Sequence, residues 1–527
     1  MKLLKSIIII SATLLCSCES FLNENPESIL SPATFYNSVG NVEIAVNGVY
    51  DILGNRGVGG NSFGNYNHGL QIMGVLGTDQ FRSYNEVQSH RFSQMDLYTY
   101  TSSSQLSSEA WTVHYIGINR ANTVIANTEP MLGTGFNDDD LNRLLAEARF
   151  LRAWYYFNLV RFYGEVPLKL TETASLTASD VVGISRAPVS AIYSQIEEDL
   201  LFAEQYLLLP SELPASDNGR LTKTAAWAFL ARVYSTWAMY PLKDASKWSD
   251  AAAYAKKVID SKEHVLLDDF TKIFGVENEG NQELIFVVKN TGIEGENGTL
   301  GAVNGVVAYP GASGDQERTS ASYAQVRIEN NFYKSYDDND LRKEFTVSSY
   351  RAKADGTEVP LTVAQINTSN LLGFAKFKRN GSWTGFMSPT DFPLLRYAEV
   401  LLLYAEATAN KAGGPTADSF EAINQVRRRA FGLPVDTPDP TVDLTGLSLT
   451  DFNNAVLTER SWELTGEDCS RWHDLIRYEL LGQVVTATKR PLVLVSFDEN
   501  KHKLFPIPLS EIDANPKINV EDQNPGY

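Results

Sequence analysis

The chain has 527 residues, 43% of them hydrophobic, and a formal net charge of -19 from 64 acidic and 45 basic side chains. This length and composition support a large buried core, while the acidic balance argues against a surface built for nucleic acid or anionic lipid. Of the three cysteines, Cys16 and Cys18 lie at the extreme N-terminal end, which leaves Cys469 without a partner and the fold dependent on its core.

Lys2 and Lys5 precede residues 7–15, a run that is apolar except for Ser11 and Thr13. The run is far shorter than the ~20 apolar residues that span a bilayer, so it reads as a secretory signal. Its end, Leu15-Cys16-Ser17-Cys18, is similar to a bacterial lipobox. That resemblance implies a signal peptide at 1–17, cleavage before Cys18 and lipidation of Cys18, with two or more acyl chains giving a stable anchor. No other run approaches spanning length, so contact with the membrane is expected through the lipid anchor alone. Residues 18–38 read as a tether, and their Ser-, Asn- and Glu-rich composition, with Pro26 and Pro32, continues to Asn47.

From there the pattern is mainly α. Leu144, Ala148, Leu151, Tyr155, Leu159 and Phe162 form one apolar stripe, and Phe150, Ala153, Phe157 and Val160 a second, so this helix needs neighbours on more than one side. Gly164 and Pro167 end it. Ala226, Leu230, Val233 and Trp237 repeat the style, followed by Trp248, Ala252, Ala255 and Ile259, then Leu395, Ala398, Leu402, Ala405 and Ala409. Such pairs of small and aromatic helices resemble tetratricopeptide repeats, which bury a continuous core by stacking. The reading is a single domain at 39–527. Its repeat scaffold covers about 39–53, 107–265 and 391–432, with insertions at about 54–106 and 266–390 and a C-terminal region at 433–527. The insertions are rich in Gly, Asn and Ser, carry a few short strands such as Leu284–Val288, and are where function is expected.

A series of blocks then carries a family resemblance. Phe21-Leu22-Asn23-Glu24-Asn25-Pro26 is followed by Ala45-Val46-Asn47-Gly48-Val49-Tyr50, then by Asn119-Arg120-Ala121-Asn122. Glu147-Ala148-Arg149-Phe150-Leu151-Arg152-Ala153 leads to Tyr163-Gly164-Glu165-Val166-Pro167. Arg396-Tyr397-Ala398-Glu399, Arg427-Arg428-Arg429-Ala430, Arg471-Trp472-His473-Asp474-Leu475 and the closing Gln523-Asn524-Pro525-Gly526-Tyr527 follow in order. Together they resemble the SusD/RagB-type nutrient-uptake lipoproteins of the Gram-negative outer membrane. The resemblance implies a tetratricopeptide-like helical protein with a variable loop face, lying on the cell exterior over a SusC-like TonB-dependent porin. It implies an oligosaccharide ligand, with peptides as the alternative, and a binding role without catalysis or cofactor. A repeat scaffold that binds only protein partners is the third reading.

The residues themselves agree with a binding role. Arg149, Arg152, Arg396, Glu399, Glu406, Glu459 and Glu463 are charges on otherwise apolar helices and are expected to form interhelical ion pairs. Asp138–Asp140 and Glu197-Glu198-Asp199 read as solvated helix starts or faces. Asp337-Asp338-Asn339-Asp340 offers calcium-like oxygens without EF-hand spacing, and the six His residues show no zinc pattern, so no metal is expected. Sugars call for aromatic faces bordered by carboxylates, amides and Arg. The candidates are Asp79, Arg82, Tyr84, Tyr98 and Tyr100 in the first insertion, and Tyr309, Trp383 and Phe386 in the second.

Overall fold

A computed structural model describes residues 32–54, 69–83, 90–173, 183–290, 326–352, 358–368, 371–377 and 390–527. Its framework is a stack of helices: α1 (Val39–Gly54), α2 (Gln105–Thr128), α3 (Asp138–Tyr163), α4 (Val189–Tyr206), α5 (Lys223–Trp237), α6 (Lys247–Ser261), α7 (Tyr397–Ala412) and α8 (Ala417–Ala430). Each packs on the next, as the repeated apolar stripes require. The stack passes directly from α6 to α7, so residues 262–396 are looped out of an otherwise continuous array. Helix α9 (Leu449–Glu463) then packs on α7, and α10 (Ser470–Arg477) on α9. None of the described helices is long and apolar enough to cross a membrane.

Helix α3 is the centre of the stack. Every residue of its two stripes is buried, and it lies against α1, α2 and α4. The Asn137 side chain accepts the Asp139 N–H at 3.1 Å and Asp138–Asp140 fill the first turn, where carboxylates meet the positive end of the helix. Gly164, at φ +72°, ends the helix in a conformation that a side chain would strain. Gly117 of α2 sits so close that an added Cβ would lie 2.5 Å from the Tyr155 ring, which is why α2 and α3 can approach as they do.

Two expectations need correction. The first helix begins at Val39, preceded by a helical turn at Pro32–Phe35, so tether-like composition persists into structured chain. Leu395, read as the start of a helical stripe, lies instead in a strand, because α7 begins only at Tyr397. That strand is one of ten short strands among the described residues, of which five bear on the site: β1 (Phe81–Ser83), β2 (Leu284–Val288), β3 (Val326–Ile328), β4 (Gly373–Phe374) and β5 (Phe392–Arg396). The pairs β1–β3 and β2–β5 are antiparallel, with Ser83 opposite Val326 and Phe392 opposite Val288.

Buried histidines make the fold acid-sensitive. Burial pushes His114 down to about 4, and burial followed by the charge of Lys501 does the same to His502, while burial holds His473 well below its ordinary value. These groups are neutral in the folded state down to that range but take up protons near 6.5 when unfolded. The stability they confer is therefore present above pH 6.5 and is lost as pH falls towards 4. Thermal unfolding between pH 7 and 4.5 should show a steady fall in Tm. A His114→Gln variant should flatten that slope, and an unchanged slope would contradict the assignment.

Candidate functional site

The charged residues on apolar helices are structural. Glu463 at the end of α9 accepts from Arg396 at 2.5 Å, from Arg429 at 2.6 Å and from Arg342 at 2.8 Å. Glu283 bridges Arg396 and Arg429 from the other side, Glu459 takes Arg342 and Arg427, and Glu467 takes Arg396 and Lys376. Burial alone would raise the Glu463 carboxyl, but Arg429, Arg396 and Arg342 outweigh it and hold the group well below the usual carboxylate range. A second network runs from Asp468 and Glu399 through Arg232 and Arg460 to Asp474, Arg477 and Glu406. Within the stack, Arg152 grips Asp199 with two bonds at 2.8 and 2.7 Å. Asp199 is therefore fully buried and paired, which corrects its reading as part of a solvated face. All seven charges singled out in the sequence have partners of opposite sign, and several of those partners (Asp199, Arg232, Glu283, Arg342) left no signal at helical spacing.

The Asp337–Asp340 run is likewise committed. Asp340 is buried against Arg342 at 2.7 Å, Asp338 pairs with Lys343, and Asp337 accepts the Asn339 N–H. No group of three or more His, Cys, Asp or Glu among the described residues is arranged to hold a metal ion. Cys469 is buried, and its thiol, pushed up by burial and by Asp468, donates to the Leu70 carbonyl.

The insertions meet the body at a shared platform. Because Ser83 lies opposite Val326, the segment leaving β1 at residue 84 and the segment entering β3 at residue 325 are rooted side by side. Because Val288 lies opposite Phe392, the chain running on from β2 towards residue 291 and the chain returning into β5 are also rooted together. Rings join the two strand pairs: Phe81 meets Phe374 at 5.3 Å, Phe374 meets Phe377 at 5.8 Å, and Phe377 meets Phe392 at 5.6 Å. The platform is pinned from below by two buried lysines. Lys489 donates to the Phe81 carbonyl at 2.6 Å, Asp96 at 2.9 Å and Glu329 at 3.1 Å. Lys376 donates to the Glu463 and Thr465 carbonyls and to Glu467 at 2.7 Å.

Tyr84, Tyr309, Trp383 and Phe386 lie outside the described residues, on segments 84–89, 291–325 and 378–389, which share these roots. The other four candidates are placed as follows. Tyr98 is buried, donating its hydroxyl to the Gly77 carbonyl and packing against Phe497 and His502. Tyr100 is buried too, stacked on Phe505 at 4.6 Å. Neither ring offers a face to a ligand, so both are core residues rather than binding residues. Asp79 is half-buried in a two-bond pair with Arg471 at 2.8 and 2.6 Å, and Arg82 stands opposite Arg327 in the β1–β3 ladder. A separate groove of about 760 Å³ follows α2 past Trp111, Tyr115 and Asn119. Its polar groups are already engaged, with Tyr115 on the Pro167 carbonyl and Asn119 on the Thr173 N–H.

With this geometry in place, comparison with known proteins is direct. A family model described as the SusD family matches residues 294–527, and one described as starch-binding associating with outer membrane matches residues 21–235. The chain belongs to the SusD/RagB-like family. It is 28% identical to the SusD-like protein P25 of Formosa agariphila, with 100% of both chains covered. Its fold is similar to the crystal structure of a SusD homolog from Bacteroides thetaiotaomicron, with a TM-score of 0.81 and 28% identity over 94% of this chain and 98% of that one. It is also similar in fold to surface glycan-binding protein A from Bacteroides thetaiotaomicron in complex with laminarihexaose. There the TM-score is 0.72 at 20% identity, over 92% of this chain and 99% of the other. A mainly α, tetratricopeptide-like architecture with a few short strands is thus common to the family and to this chain.

Proposed function

We propose that this protein captures oligosaccharide at the cell surface and hands it to a SusC-like TonB-dependent porin, held to the outer membrane by lipid on Cys18. The observation that carries the reading is the shared platform. Strand register roots the segments bearing Tyr84, Tyr309, Trp383 and Phe386 on two ring-linked strand pairs, which the buried Lys376 and Lys489 and the Arg396 ion pairs hold to the helices. Sugar rings bind through stacked aromatic faces with polar groups at their edges, which is the composition of those segments. The family's starch-binding and glycan-binding members support a carbohydrate ligand, and outer-membrane association of the matched family supports the location. The buried Glu463 and Glu406 carboxylates are committed to Arg396 and Arg477 and so serve the scaffold.

Calorimetric titration of the mature domain from Glu19 with maltoheptaose, laminarihexaose and a mixed oligopeptide pool tests this. Saturable binding of at least one sugar is expected. Trp383→Ala should weaken it about tenfold, the equivalent of about 1.4 kcal/mol for a lost stacking contact. Peptide binding without a sugar response would transfer the same role to peptides, and sugar binding unaffected by the substitution would move the site away from Trp383.

A further inference from the structure

Where α5, α7, α9 and α10 meet, the protein forms a small, partly open cavity of about 20 Å³ whose lining includes Arg232, Ser235, Glu399, Arg460, Asp468 and His473. Three of its polar atoms are enclosed and meet no hydrogen-bond partner among the described residues: Arg460 Nη1, Ser235 Oγ and His473 Nε2. Their side chains belong to residues only 4%, 1% and 6% exposed. The rest of the Arg460 guanidinium is held in place, with Nε on Asp474 at 2.8 Å and Nη2 on Glu399 at 3.3 Å, so rotation cannot satisfy Nη1 without breaking those pairs. A buried guanidinium N–H without an acceptor is costly, and such groups in native proteins are met by an ordered small species. One water-sized sphere needs about 10–15 Å³, so the cavity has room for one such species rather than a cluster.

We propose that this cavity is a binding site for a single small hydrogen-bond acceptor, a water molecule or a halide ion, seated on Arg460 Nη1, Ser235 Oγ and His473 Nε2. The guanidinium can only donate and the hydroxyl is free to donate, so the occupant must first of all accept. His473 is neutral by burial, so its Nε2 serves either species through its tautomer: protonated, it donates to a halide; unprotonated, it receives a hydrogen from water. Glu399 and Asp468 on the wall oppose an anion, while Arg232 and Arg460 favour one. The occupant joins α5 of the helical stack to α9 and α10, completing the second charge network where its arginines and carboxylates converge.

Crystals of the mature domain grown in parallel in sodium chloride and sodium bromide test the site on the unaltered protein. One spherical density peak within hydrogen-bond distance of the three atoms is expected in both. A bromide anomalous signal at the peak identifies a halide, and a peak without that signal identifies water. Absence of a peak in both crystals, or a side chain turned into the space, would overturn the proposal. As an independent readout, Ser235→Val fills the space with methyl groups and strands Arg460 Nη1, so Tm should fall. A rise in Tm would show that apolar filling is favourable and would likewise overturn it.

Discussion

Replacing Glu463 by Gln is expected to destabilise the protein by about 3–5 kcal/mol, the range for removing one partner from a buried ionic cluster. Gln keeps the volume of Glu but loses the charge that three buried guanidiniums share, and it turns an N–H₂ towards at least one of them. Arg396 and Arg429 would retain Glu283, and Arg342 would retain Asp340 and Glu459, so the fold should survive with a lowered urea midpoint and an unchanged slope. A loss below about 1 kcal/mol would mean that the cluster reorganises around the missing charge and does not hold α9 to the platform. The depressed Glu463 carboxyl gives stability that is present above its unfolded value and lost only as pH falls below about 4.5. The weakening expected of the wild-type protein between pH 6.5 and 4.5 is therefore not that of Glu463.

Lys489→Met is the second large expected effect, and it acts on the platform itself. Lys489 is fully buried, and its loss leaves Glu329 short of a cation and Asp96 dependent on Arg490. Asp96 is held below the ordinary carboxylate range because Lys489 and Arg490 outweigh the burial that would raise it, and it in turn accepts the Ser83 N–H at 3.0 Å. The expected cost is about 3 kcal/mol, concentrated on the β1–β3 pair rather than spread over the stack. Amide exchange should accelerate at residues 81–83 and 326–328 and stay slow in α3, while sugar affinity falls. Unchanged exchange at the two strands would show that Lys489 does not hold them.

Much of the scaffold is legible because helical burial leaves a period. The stripes of α3 are read directly from spacing of three and four, and Leu284–Val288 stands out as a short apolar run bounded by polar residues. Leu395 misleads because β5 is buried on both faces, so Phe392–Arg396 shows no alternation and a residue three before Ala398 fits a helix equally well. That charges on apolar helices need partners follows from desolvation alone, but the identity of those partners does not. Arg396 meets Glu283 across 113 positions and Arg232 meets Asp468 across 236, and no local period records such pairings.

The candidate site divides along the same line. Tyr98 and Tyr100 sit in a loop without a helical stripe, which suggests free rings. They are instead drawn inward by Trp472, Phe505 and Tyr527, residues some 400 positions away in the chain. Asp79 is taken up by Arg471 in the same long-range closure. What composition does reveal is where aromatic and polar residues accumulate without a packing role assigned by period. Strand register adds the point that 291–325 leaves one strand pair and enters the other, while 84–89 leaves β1 and 378–389 returns towards β5 on the same platform.

The most direct test of this account is hydrogen exchange of the mature domain with and without a saturating oligosaccharide identified by titration. Protection is expected at residues 84–89, 291–325 and 378–389, with no change in α2 along the Trp111 groove or in the helices of the two charge networks. Protection confined to the groove or to those helices would contradict the placement of the ligand on the shared platform.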